Sequence, residues 1–193
     1  MQPDIAPDVH AGYYQLQDQL ALDYHTIDPP DENPAAADST PLFGLLGELQ
    51  LLEQESQHLL RQIGERDRVL AACLKTFSKR IDLLGQAAAL QLTSDLGQPV
   101  TVTLSEAGLS FLSPVPLAPG QWLSLRLLLP PTAGLATSAP IANCVADSAS
   151  GQYAIQVSFD HNTEAQRQLL ARYIVHKQAQ EIRAAKQNER TSP

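Results

Sequence analysis

Between residues 42 and 92 apolar positions recur at spacings of three and four, whereas from 98 to 159 the period drops to two. The first stretch contains no proline and predicts one helix, entered through Ser39 or Thr40 as N-cap with Pro41 in its first turn. Two interleaved sets repeat every seven residues within it. One is Leu49, Ser56, Ile63, Leu70, Phe77 and Leu84; the other begins Leu45, Leu52, Leu59 and continues through Arg66, Cys73, Arg80 and Ala87. These are the a and d positions of a heptad repeat sustained over about six heptads. Leu46, Leu60, Leu74, Ile81 and Ala88 add an e-position stripe, so the apolar face is wider than a two-stranded seam needs.

A straight helix of roughly 50 residues would run about 75 Å, too long for one small domain to cover. Two arrangements answer this. The helix bends once, near Gly64 or Gly85, and packs on its own domain; or it self-associates into a bundle with Leu45, Leu49, Leu52, Leu59, Ile63, Leu70, Phe77 and Leu84 in the seam. The width of the stripe favours the bundle, and a tetramer over a dimer.

The second stretch predicts short strands over 99–104 and 109–113, a longer one over 121–129, a hairpin of 140–147 with 152–159, and a final helix over 160–188. Upstream, Leu20, Leu22 and Tyr24 alternate as in a half-buried strand. Residues 28–41, rich in Pro, Ala and Asp, read as a linker, and 1–12 as disordered.

The net charge of -8 is unevenly spread. Residues 1–40 hold eight carboxylates and no Lys or Arg, while the rest of the chain is balanced. No clustered positive field exists, which argues against nucleic acid and anionic membranes as partners. Residues 1–21 lack a continuous apolar segment and no run is long enough for a bilayer, so neither secretion nor membrane insertion is expected, and a cytoplasmic location is. Cys73 and Cys144 read as small core residues, and the scattered histidines have no metal-ligand spacing. There is no nucleophile elbow or phosphate-binding glycine loop. Neither an enzyme nor a cofactor is indicated.

The strand-flanked turn Thr103-Leu-Ser105-Glu-Ala-Gly108 is followed by Leu109-Ser-Phe111, then Ala-Pro119-Gly120-Gln-Trp122, then Ala154 to Phe159 and the helical Leu169-Leu-Ala-Arg-Tyr173-Ile. In order and spacing this resembles the PilZ domain family, the bacterial receptor module for cyclic di-GMP, whose second motif is Asp/Asn-x-Ser-x-x-Gly. The resemblance covers residues 98–178. It implies an α+β fold: a small antiparallel β-barrel with a C-terminal helix, here joined to the long heptad-repeat helix. If the alternating residues after Gln15 form the first strand, 13–28 and 93–188 make the barrel and 42–92 is an insertion for oligomerisation. The competing arrangement starts the barrel after the helix.

The family's first motif, Arg-x-x-x-Arg, then falls on Ala11 and Gln15, with Tyr13 and Tyr14 at its aromatic positions. Arginine serves a cyclic dinucleotide by pairing bidentately with phosphate or guanine acceptors and by stacking on the purine. Here both arginines are missing, and Thr103 replaces the acidic or amide residue, although Ser105 and Gly108 remain. Losing two charge-assisted contacts of about 1.5–3 kcal/mol each removes several orders of magnitude in affinity. Ser105 and Gly108 are therefore expected to be an ordinary turn, and cyclic di-GMP is not expected to bind. The expected molecule is a non-catalytic adaptor with an unidentified protein partner, in a motility, pilus or biofilm context implied by the family. Two alternatives stay open: a true receptor with an unusual site that brings in Arg61 or Arg126, and a coiled-coil scaffold capped by barrels.

Overall fold

A computed structural model describes residues 8–29 and 41–191. Along the chain come β1 (Leu16–Ile27), α1 (Pro41–Arg66), α2 (Arg68–Leu96), β2 (Val100–Leu104), β3 (Gly108–Ser113), β4 (Trp122–Leu129), β5 (Ala133–Asp147), β6 (Gln152–Ser158) and α3 (Glu164–Thr191). The expected N-cap of α1 lies outside the described residues, as do 1–7 and most of the linker.

The strands close into a barrel in the order β1-β2-β3-β6-β5-β4, every neighbouring pair antiparallel. Closure depends on β1. Its first part pairs with β2, Leu16 opposite Leu104 and Leu20 opposite Val100. Its second part pairs with β4, Ala21 opposite Leu128 through Ile27 opposite Trp122. Leu16, Leu20 and Leu22 point into the barrel with Leu104, Leu125, Leu127, Ile155 and Val157, and Leu169, Leu170, Tyr173 and Ile174 of α3 join the same core.

The heptad stretch is two helices. Asp67 interrupts it with extended backbone (φ -140°, ψ 100°), and its carboxylate accepts from the amides of Val69 and Leu70, capping α2. The helices fold back antiparallel, with Gly64 near Ala71 and Gly85 near Leu49. The bend falls close to Gly64, one of the two places expected, but Asp67 rather than a glycine makes it. A β-carbon on Gly85 would sit 3.0 Å from a Leu49 methyl, so this glycine lets the helices approach.

The base of the hairpin lies on the outside of the barrel, burying Phe43, Leu46, Ala89, Leu92 and Leu96 against Ala21 and Leu128. Gly134 of β5 is pressed by Phe43: an added β-carbon would lie 2.9 Å from its ring and 3.2 Å from its carbonyl oxygen. With both faces of the sheet covered here, consecutive Leu127, Leu128 and Leu129 are all buried and the alternation of a one-sided strand disappears. The same cover explains why the first half of β5, mostly small residues buried on both faces, carries no strand signal. Thr163 caps α3 reciprocally with Gln166: the Gln166 amide donates to Thr163 Oγ1 at 3.3 Å, and the Thr163 amide to Gln166 Oε1 at 2.8 Å.

Asp18 of β1 fastens α3. Lys177 Nζ donates to its Oδ2 at 2.7 Å, and the Tyr173 hydroxyl donates to the same oxygen. Burial pushes the Asp18 carboxyl up, but the bonds from Lys177, Tyr173 and the Gln19 amide, with the Lys177 charge, outweigh it and hold the group below its ordinary value. The contribution is therefore full above about pH 4 and lost as pH falls through the lowered folded value. Asp18→Asn should cost about 1.5–3 kcal/mol at neutral pH. In thermal melts the gap between the two proteins should close as the solution is acidified below that range.

Candidate functional site

At the turn between β2 and β3, Ser105 is fully buried. Its Oγ accepts from the amides of Ala107 (3.3 Å) and Gly108 (3.2 Å), while its own amide donates to the Gly108 carbonyl at 2.9 Å. The Ala107 carbonyl accepts from the Phe159 amide at 2.8 Å, tying the turn to the end of β6. Gly108 is fixed by crowding: a β-carbon would fall 2.3 Å from the Val157 carbonyl oxygen and 3.0 Å from a Val9 methyl. Thr103 is half-buried beside Ser110 on the neighbouring strand.

Val9 belongs to an arm, residues 8–15, that leads into β1 across this turn. Residues 8–12, expected to be disordered, form a turn held by bonds from the Ala11 amide to the Asp8 carbonyl and from the Tyr13 amide to the His10 carbonyl, both 3.0 Å. Docking of a side chain overrides their disorder-prone composition. His10 is 3% exposed, with Nδ1 2.7 Å from Ser105 Oγ and Nε2 2.7 Å from Ser110 Oγ. Asp8 accepts from the His10 amide at 3.1 Å and from Gln156 Nε2 at 3.2 Å. A lone histidine in a short acidic segment carries no periodic signal, so sequence reasoning misses it.

Ala11 and Gln15 lie on this arm, both exposed. The face beside the turn thus holds hydroxyls, an amide, an imidazole and the Asp8 carboxylate. Arg126 pairs with Asp23, its register partner across β1 and β4. Arg61 lines a separate cleft between the hairpin and α3 together with Arg172, His176, Glu53 and Asp82. Burial, reinforced by the nearby Asp82 charge, pushes the Glu53 carboxyl up. Among the described residues no group of three His, Cys, Asp or Glu side chains is placed to hold a metal, and no helix is long and apolar enough to cross a membrane.

On the hairpin, Leu49 and Ile63 are half-buried. The other six expected seam residues are exposed: Leu45 59%, Leu52 54%, Leu59 56%, Leu70 47%, Phe77 54% and Leu84 72%. Breaking the helix at Asp67 divides the single seam of the sequence into two stripes. Each exposed residue directly precedes an inward-facing one: Leu46, Glu53 and Leu60 on α1, and Ala71, Ser78 and Gly85 on α2. One residue is about 100° of rotation. Equal rotations about antiparallel axes bring both stripes to the same side of the hairpin. Val69, Leu83 and Leu90 form a further exposed row on α2. Cys73 is exposed as well, not a core residue, and Cys144 is half-buried; both are free thiols.

The family model of the PilZ domain matches residues 77–176, just over half of the chain. The chain belongs to the PilZ domain family. Its PilZ match begins inside α2, because the hairpin separates β1 from the remainder of the barrel. Among solved structures, a tetrameric PilZ domain protein from Xanthomonas campestris, self-assembled via a helical bundle, is similar over 89% of this chain and 92% of its own, with a TM-score of 0.55 and 17% identity. The Bacillus subtilis inhibitor of motility MotI/DgrA aligns over 42% of each chain at 18% identity, with a TM-score of 0.39. No curated protein matches the sequence. In this PilZ barrel the motif's serine and glycine meet local demands: Ser105 ties the turn and Gly108 admits β6. Gly108→Ala should destabilise the fold by about 1–3 kcal/mol, since a carbonyl in a paired strand has little room to yield. Chemical denaturation measures the loss.

Proposed function

We propose that this PilZ protein is a non-catalytic adaptor that assembles as a homotetramer through its helical hairpin and does not bind cyclic di-GMP at the motif turn. The observation that carries the reading is the exposed apolar face of six side chains at seven-residue spacing, on one side of the hairpin. Transferring each Leu or Phe out of water is worth about 1.5–3 kcal/mol before association costs are set against it. The second row, Val69, Leu83 and Leu90, widens the face of α2 beyond what one partner hairpin covers and favours more than two chains. The tetrameric assembly of the similar Xanthomonas protein points the same way. Each tetramer would display several barrels to a protein partner in the motility, pilus or biofilm signalling that the family implies.

Light scattering on the full chain tests the assembly. Wild type should have the mass of a tetramer, Phe77→Glu with Leu84→Glu that of a monomer, and Leu83→Glu with Leu90→Glu that of a dimer, all with unchanged circular dichroism. A monomeric wild type at micromolar concentration rejects the assembly. The cleft holding Arg61, Arg172 and His176 favours, as a second reading, a receptor with an unusual site, although Glu53 and Asp82 oppose an anion there. Isothermal titration with cyclic di-GMP should give no heat of binding. Micromolar affinity abolished by Arg61→Ala would establish the second reading instead.

A further inference from the structure

The turn of the PilZ motif is covered by the chain's own arm, and the hydrogen bonds of that cover favour a neutral His10 ring. Ser105 Oγ accepts two backbone amides, from Ala107 and Gly108. Both lone pairs are then used, and what the hydroxyl has left is its proton. The Gly108 carbonyl, at 3.4 Å, is a poor recipient, whereas His10 Nδ1 lies at 2.7 Å. Ser105 thus donates to Nδ1, which must be bare, and the ring proton sits on Nε2 and is donated to Ser110 Oγ.

From this geometry we infer that residues 8–12 are a latch over the motif face, closed by neutral His10 and opened by its protonation. An imidazolium would aim an N–H at a hydroxyl with no lone pair to offer, and would bury a charge among neutral groups. The β2–β3 turn and β3 face the ring with Ser105 and Ser110, Gln156 of β6 donates to Asp8 of the arm, and Glu106 and Asp160 nearby in sequence are exposed to solvent. The charge acting on the ring is Asp8 on its own arm. Asp8 favours the imidazolium, but burial is the larger effect and holds His10 below its ordinary value. For a base held down by folding, docking is complete above about pH 6.5 and weakens as pH falls from there to the docked value. Opening uncovers the hydroxyls of Ser105 and Ser110 and the Gln156 amide, whose Oε1 is buried without a partner among the described residues. The inference does not depend on the oligomeric state.

Hydrogen exchange of the full chain, read by NMR between pH 5 and 8 as protection factors, tests the latch alongside the titration of each histidine ring. The amides of His10, Ala11 and Tyr13 should lose protection by up to about tenfold per pH unit below 6.5, while the amides of β4 and β5 hold theirs. The His10 ring should titrate below 6.5. His10→Gln, which does not titrate, should give a flat profile, and Ser110→Ala should loosen the arm already at pH 7.5. A His10 ring titrating at or above 6.5 overturns the proposal. So does wild-type protection unchanged down to pH 5, or His10→Gln retaining the pH dependence.

Discussion

Barrel closure through β1 is the constraint on which the rest of the architecture depends. A single strand serves two neighbours, β2 with its first residues and β4 with its last, so no edge is left open. Everything between Ile27 and Val100 must then leave the barrel and return to it, because Val100 pairs with Leu20 a few residues back along the same strand. One unbroken helix of that length would carry the chain about 75 Å away. A helical pair turned back at Asp67 brings it home, and the hairpin's base uses the return to bury the outer face of β1, β4 and β5. The insertion is in this sense half structural. Its base completes the domain, and its apolar stripes face outward.

That division accounts for what could be read in the sequence and what could not. The strands β2, β3 and β6 are legible because inward and outward positions alternate for most of their length, and β4 because Ser124 and Arg126 alternate with Leu123, Leu125 and Leu127 before its buried leucine end. The first half of β5 is not, since Ala133 to Ala139 is composed mostly of small residues buried on both faces, Thr137 and Ser138 among them, and nothing alternates. The break at Asp67 is hidden for a different reason. The heptad spacing passes through it without a change of phase, and Arg66 and Arg68 are good helix formers; the extended Asp67 shows itself only through the two amides that it caps. Gly64 and Gly85 look like weak points by propensity, yet helix-on-helix packing decides their role.

The motif turn illustrates a further limit. Sequence comparison with the family registers which side-chain types are present, and residues 1–40 contain no Lys or Arg. It does not register what covers the turn. Against Ser105 and Ser110 lies His10, a histidine that contributes neither charge nor spacing to any pattern.

The contact has its own chemical logic. A serine whose lone pairs are committed to its own turn can only donate, so it seeks an acceptor. His10 Nδ1 is such an acceptor, carried on the chain itself and delivered by β1, the strand that closes the barrel. The tether makes its effective concentration high. A free ligand would have to displace it without the help of a cation and against the Asp8 carboxylate on the same arm. The absence of Lys and Arg from residues 1–40 and the presence of an internal acceptor on Ser105 act in one direction: both leave the turn engaged by the chain itself.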